Sequence, residues 1–311
     1  MEFDFLKVKL SELNNKLKEQ KKKIDKEKVE KTLYEIGKKH KLKRLDEKEI
    51  KEITRDKGII GVDGSINNYG GIYPHYISIV QALAKSTLNE AYILQDVYAP
   101  LFEEEDSQIK DEQRRRAAMS KLEIQVAMYA MENFKSDIIL MDGSLMHYGI
   151  DCPFEWQAFK EMVLKKGKIV IGVAEEVKTK DIAELVKDKI GYSNVLYDRE
   201  ILFGLLNEGE VLEIDIKTQK KQKGIKTLYA RLSKDPQVIG LDFLAEQFED
   251  GLKLCNLLYT LTPREGRGIP LWLDMVDKEV KVSDEMVRVF VETYIDKELR
   301  EMFINPKRNK R

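Results

Sequence analysis

Two segments carry an apolar run directly into Asp-Gly-Ser: Ile59-Ile60-Gly61-Val62-Asp63-Gly64-Ser65 and Ile138-Ile139-Leu140-Met141-Asp142-Gly143-Ser144. Each reads as a buried strand with a carboxylate at its end, where the following glycine lets the backbone turn sharply. A buried strand tolerates few charges, so an aspartate at its tip needs a partner, and a metal ion is a common one. Two such tips side by side in one sheet would make a divalent cation site. The alternative is that each aspartate only caps a turn or the next helix.

The chain has 311 residues, enough for a substantial core in one large domain or two small ones. Charged residues make up 35% while the formal net charge is only −1, so a nucleic-acid partner would have to be met by local basic patches. Cys152 and Cys255 lie far apart without metal-binding spacing, which fits a reducing cytoplasm. No apolar run approaches the ~18 residues needed to span a bilayer, and the first residues are acidic where a signal peptide would be basic. The expectation is a cytoplasmic protein that does not use a membrane. With only His40, His75 and His147 available, a His-rich zinc site is excluded and oxygen ligands, hence Mn²⁺ or Mg²⁺, are favoured.

Residues 1–57 are rich in Lys and Glu, with Leu6, Leu10, Leu13 and Leu17, then Val29, Leu33 and Ile36, near helical spacing. They read as a helical arm, and residues 58–311 as the body. Strands are predicted at 59–63, 76–83, 91–98, 138–142 and 168–173. Helices are predicted at about 110–134, 156–164 and 179–190. Shorter strands at 211–216 and 227–232 precede helices at about 242–260 and 283–303. The fold class is therefore α/β, a mixed sheet flanked by helices with a helical arm and an α+β elaboration at the C-terminal side.

The long helix supplies a third acid. Glu123 has Met119, Ser120, Val126 and Ala127 within one turn on the same face, so it lies on or beside the inward stripe. A charge there is costly unless paired. Arg116, two turns earlier, is one candidate partner; a cation shared with Asp63 and Asp142 is the other. Three strands, a helix bearing Glu and a fourth strand ending in Asp resemble the layout of ribonuclease H-like nucleases. There, carboxylates from the first strand, the helix and the fourth strand meet on two divalent ions.

On these motifs, with the following Ile-Val-Ile-Gly-Val-Ala strand (169–174) and Lys178 and Lys180 after it, the chain resembles the NurA family of DNA-end-processing nucleases. The resemblance implies a ribonuclease H-like fold and Mn²⁺-dependent cleavage of DNA. It also implies a homodimer and partnership with a HerA-type hexameric ATPase. Carried over by position, Asp63, Glu123 and Asp142 would hold the metal, and Lys178 would contact phosphate. The family often has a histidine near the C-terminus, whereas no histidine follows His147 here. Asp296 is the candidate last ligand with Tyr294 lining the site; alternatively, Asp296 is an acid favoured by a helix dipole.

Smaller signals stay open between two readings. Arg114, Arg115 and Arg116 either bind phosphate or pair with Glu103–Asp106. The basic tail 306–311 either tracks nucleic acid or is simply a charged terminus. Tyr69, Tyr73 and His75 either stack on bases or pack a hairpin. Two other functions compete: an actin- or sugar-kinase-like phosphotransferase, whose late glycine loop this chain lacks, and a non-catalytic adaptor for DNA or an ATPase.

Overall fold

A computed structural model describes residues 3–103, 107–191, 197–214 and 224–305. The elements in chain order are α1 (Asp4–Lys23), α2 (Lys26–Ile36), β1 (Gly37–Lys41), α3 (Glu47–Thr54), β2 (Ile59–Gly70), β3 (Tyr76–Ser86), β4 (Ala91–Tyr98) and α4 (Gln108–Asn133). They continue with β5 (Ile138–Asp142), α5 (Met146–Asp151), α6 (Pro153–Lys166), β6 (Ile169–Ala174), α7 (Asp181–Ile190) and α8 (Asp198–Leu202). The last are β7 (Glu210–Ile214), β8 (Ile225–Arg231), β9 (Ile239–Leu244), α9 (Gly251–Leu261), α10 (Leu271–Val280), α11 (Asp284–Tyr294) and α12 (Lys297–Phe303). The basic tail, residues 104–106 of the acidic tract and the end of the strand predicted at 211–216 lie outside the described residues.

The nine strands of the described residues form one sheet in the order β1-β7-β8-β9-β6-β5-β2-β3-β4. Within it, β2, β3 and β4 are antiparallel neighbours, while β5 pairs parallel to both β2 and β6. The order β4-β3-β2-β5-β6, with α4 linking the third strand to the fourth, is the ribonuclease H-like arrangement that the sequence predicts.

Alternation along each strand splits the apolar residues between two layers. Ile60, Val62, Ile139 and Met141 pack under α4 and α6 with Ile124, Ala127 and Phe159. Ile59, Ile138 and Leu140 face the other way, toward Leu254, Leu258 and Leu273 of α9 and α10. A sheet covered on both faces explains why β5 and β6 are almost continuously apolar. Among the described residues, no helix is long and apolar enough to cross a membrane.

The fold corrects several expectations. The first Asp-Gly-Ser is not a strand tip: β2 runs on to Gly70, paired with β3 throughout, and Asp63 is its fifth residue. Residues 37–41 of the arm are an edge strand paired with β7. That strand, Gly-Lys-Lys-His-Lys, has no apolar residue to reveal it. Residues 242–244, read as the start of a helix, belong to β9, which is buried at every position. The helix expected over 283–303 is two helices, and α10 was not anticipated.

Candidate active site

Strand register brings the two aspartates together. The parallel pairing of β2 with β5 aligns Val62 with Met141, so Asp63 and Asp142 come next on adjacent strands, which run about 4.8 Å apart. By alternation Asp63 shares a face with Gly61, over which Val276 and Trp272 of α10 are packed. Gly64 faces α4 instead. A Cβ at Gly64 would collide with the Glu123 carboxylate and come within 2.8 Å of Met119 Cγ. Glycine therefore serves here as space rather than as a turn: its missing side chain lets Glu123 lie directly against the strand.

Asp63, Glu123 and Asp142 line one cleft of about 890 Å³. Asp63 is 6% exposed and Glu123 3%. Asp63 Oδ1 accepts the Gly64 N–H at 2.7 Å. Glu123 Oε2 accepts the Tyr148 hydroxyl at 2.7 Å, and His147 Nε2 is 3.8 Å from the same oxygen. Burial, then Asp142 and Glu123, push the Asp63 carboxyl up to about 8. Burial, then Glu123 and Asp277, push Asp142 up to about 6. These shifts are the signature of carboxylates that feel one another in a poorly solvated place.

The cleft gathers further acids that sequence reading missed. Asp277 comes from α10 and raises both aspartates; it is 3.6 Å from Arg267. Asp242, from the middle of β9, is 2% exposed and accepts Ser144 Oγ at 2.5 Å, Leu145 N at 2.9 Å and Thr227 Oγ1 at 2.6 Å. Burial raises its carboxyl, and those donors hold it in place beneath the second Asp-Gly-Ser. Asp277 could have been suspected only by recognising α10, whose start after Pro270 is the one local signal.

The weaker candidates divide. Arg116 and Lys178 line the same cleft. Arg116 faces Asp151 at 4.0 Å, and Lys178 faces Glu176 at 3.1 Å, so Arg116 is not the partner of Glu123. Tyr294 and Asp296 do not line the cleft. Tyr294, 79% exposed, borders a separate apolar groove with Val97, Met286 and Phe290. Asp296 is the residue before α12. The nearby acid from the C-terminal part of the chain is Asp277 instead. Tyr69 packs against the α11 layer, and His75 Nδ1 meets the Phe303 carbonyl at 2.8 Å, which favours packing for both. Arg114 reaches Glu103 at 3.3 Å.

An all-carboxylate donor set suits a hard divalent cation such as Mn²⁺ or Mg²⁺, and Asp63, Glu123, Asp142 and Asp277 offer it. Among the described residues, however, no three His, Cys, Asp or Glu side chains are drawn into a set that could enclose an ion as they stand.

The strand order and the crossing helix make this a ribonuclease H-like protein. The family model of the NurA domain matches residues 57–282. The chain belongs to the NurA nuclease family. It is similar in structure to the NurA nuclease from Sulfolobus solfataricus, with a TM-score of 0.62 and 14% identity over 96% of this chain and 98% of that one. A second NurA crystal structure gives a TM-score of 0.59 and 11% identity over 97% and 99% of the two chains. Comparison with curated proteins finds no match.

Proposed function

We propose that the protein is a metal-dependent nuclease that hydrolyses phosphodiester bonds in DNA, with Mn²⁺ or Mg²⁺ held by Asp63, Glu123 and Asp142. The observation that carries this reading is the pair of aspartates on adjacent strands, both with raised carboxyls and both raised by Glu123, which lies against the strand past Gly64. Divalent ions bound there would supply charge to the phosphodiester and lower the pKa of an attacking water. The side chains have defined tasks of their own. Tyr148 holds Glu123 by its hydroxyl, and Asp242 ties down the turn after Asp142. Lys178 and Arg116 stand at the cleft as cations for the flanking phosphates. Asp277 is an added candidate ligand. Two carboxyls raised to about 8 and about 6 must lose protons when a cation binds, so cation affinity falls as pH drops through those values.

Family membership also supports a homodimer working with a HerA-type hexameric ATPase in DNA end processing. Co-elution of the two purified proteins, with the stoichiometry of the complex measured, tests that part. The nuclease reading is tested by incubating the protein with labelled single- and double-stranded DNA and Mn²⁺, with EDTA and with ATP as controls. Cleavage that needs the metal and no nucleotide is expected. ATP turnover without cleavage, or cleavage that EDTA leaves untouched, overturns it.

A further inference from the structure

The cleft makes no use of α1, and nothing among the described residues covers it: none of its residues is buried. The next helix is different, since Val29 and Leu33 of α2 sit in a core cluster with α7 and α8. Yet α1 is strongly patterned. Phe3, Leu6, Leu10, Leu13 and Leu17 follow alternating steps of three and four, and Ile24 continues the series one step past Gln20. In heptad terms Phe3, Leu10, Leu17 and Ile24 are a positions, and Leu6, Leu13 and Gln20 are d positions. The four leucines are 53%, 56%, 51% and 59% exposed. An isolated helix of this length is marginal in water, and a leucine seam is stabilised mainly by burial against another helix.

The flanks of the seam say what that helix is. The e positions are Lys7, Asn14 and Lys21, and the g positions are Lys9, Lys16 and Lys23. Lysine thus fills five of six flanking positions and no acid fills any. A parallel pair of α1 helices would set Lys16 against Lys21, and an antiparallel pair would set g lysines against g lysines. A coiled coil between α1 and the α1 of a second copy is therefore disfavoured in either orientation. The acids Asp4, Glu12 and Glu19 occupy b and c, away from the seam. Asp4 and Glu12 pair with Lys7 and Lys9 at 3.5 and 3.1 Å, but such exposed pairs exchange readily. Lys16, Lys21 and Lys23 have no ion pair among the described residues. A membrane surface fits less well, because the acids Asp4, Glu12 and Glu19 share the outer face with the apolar Phe5 and Val8.

We propose that α1 is a docking helix for an amphipathic helix of another protein, leucine-like at its own a and d positions and acidic at e and g. The two would form a short two-stranded coiled coil. The test uses the full-length protein and two labelled synthetic peptides of three heptads with leucine at a and d. One peptide carries glutamate at every e and g position and the other lysine. Fluorescence anisotropy should show binding of the glutamate peptide, weakening about tenfold from low to high salt, and no binding of the lysine peptide. The double substitution L10D/L13D should abolish binding. Because that variant could unfold α1, the triple variant K9E/K16E/K21E is the second probe, and it should exchange the preference toward the lysine peptide. Equal binding of both peptides overturns the proposal. So does self-association of the wild type that L10D/L13D removes, measured by sedimentation. Leucine-dependent binding to phosphatidylcholine vesicles containing phosphatidylserine, with no glutamate-peptide binding, would assign the helix to a lipid surface instead.

Discussion

The two Asp-Gly-Ser segments have the same letters and different physics. In the first, the strand passes straight through, and the glycine is needed because Glu123 occupies the place of a side chain. In the second, β5 stops at Asp142, and Gly143 adopts a φ of +88°, a left-handed conformation that side chains resist. The serines differ too: Ser65 Oγ accepts the Val282 N–H at 3.0 Å, whereas Ser144 Oγ donates to buried Asp242 at 2.5 Å. One glycine makes room and the other makes a bend. An identical motif is thus no guide to what each residue does until the neighbours are known.

The largest expected effect treats the two segments alike. Asp63→Asn, Asp142→Asn and Glu123→Gln should each lower metal-dependent DNA cleavage about a thousandfold, with folding retained by circular dichroism. A large loss at one aspartate only would break their equivalence. The glycines come next and should separate the segments. Gly64→Ala displaces Glu123 and should cost about tenfold or more in cleavage, along with about 1–3 kcal/mol of stability. Gly143→Ala meets nothing nearer than His147 Cε1 at 3.5 Å, so its cost is conformational, about 1–2 kcal/mol, with cleavage nearly kept. Equal losses of cleavage at both glycines would abolish the distinction.

Tyr148→Phe sharpens the Glu123 side of the site. Losing its hydroxyl should cost about 1–2 kcal/mol of stability and raise the metal concentration needed for half-maximal cleavage. A variant needing no more metal than wild type would deny Tyr148 that positioning role.

A pH effect distinguishes the aspartates from each other. Asp63, raised to about 8, keeps its proton in the folded chain while the unfolded chain has already ionised near 4. Stability without metal should therefore fall as pH rises from about 4 to about 8, and Asp142, raised to about 6, should contribute only up to about 6. Asp63→Asn should raise the metal-free Tm at pH 8, by about 1–2 kcal/mol in stability, and change it little at pH 4. No difference between the two pH values would contradict the raised carboxyl. The smallest effect is Ser65→Ala, about 1 kcal/mol with cleavage unchanged, read by urea denaturation.

Much of this was legible in the sequence because burial on both faces writes strands as unbroken apolar runs. The ribonuclease H-like core, the crossing helix and the inward Glu123 all follow from that pattern and from helical spacing. What stayed hidden has physical reasons. A glycine inside a strand looks the same as a glycine in a turn, so β2 was cut short at Asp63. The Ile239-Gly240-Leu241-Asp242-Phe243-Leu244 run is buried throughout, and without alternation a short apolar run does not distinguish strand from helix. Its Asp242 is tolerated because three donors satisfy it, and they come from distant segments. Asp277 was missed since its place depends on α10 crossing Gly61, a packing choice no local spacing encodes. Tyr294 and Asp296 were proposed from chain position alone, and position near the C-terminus does not fix direction.

The edge pairing of β1 with β7 bears on how the molecule is assembled during synthesis. Residues 37–41 leave the ribosome well before residues 210–214, the strand they bond to. The stretch from β2 to β6 is contiguous in sequence and can settle while the first strand still waits with its amides unsatisfied. The first strand of the chain can therefore take its place at the sheet edge only after β7 has been made.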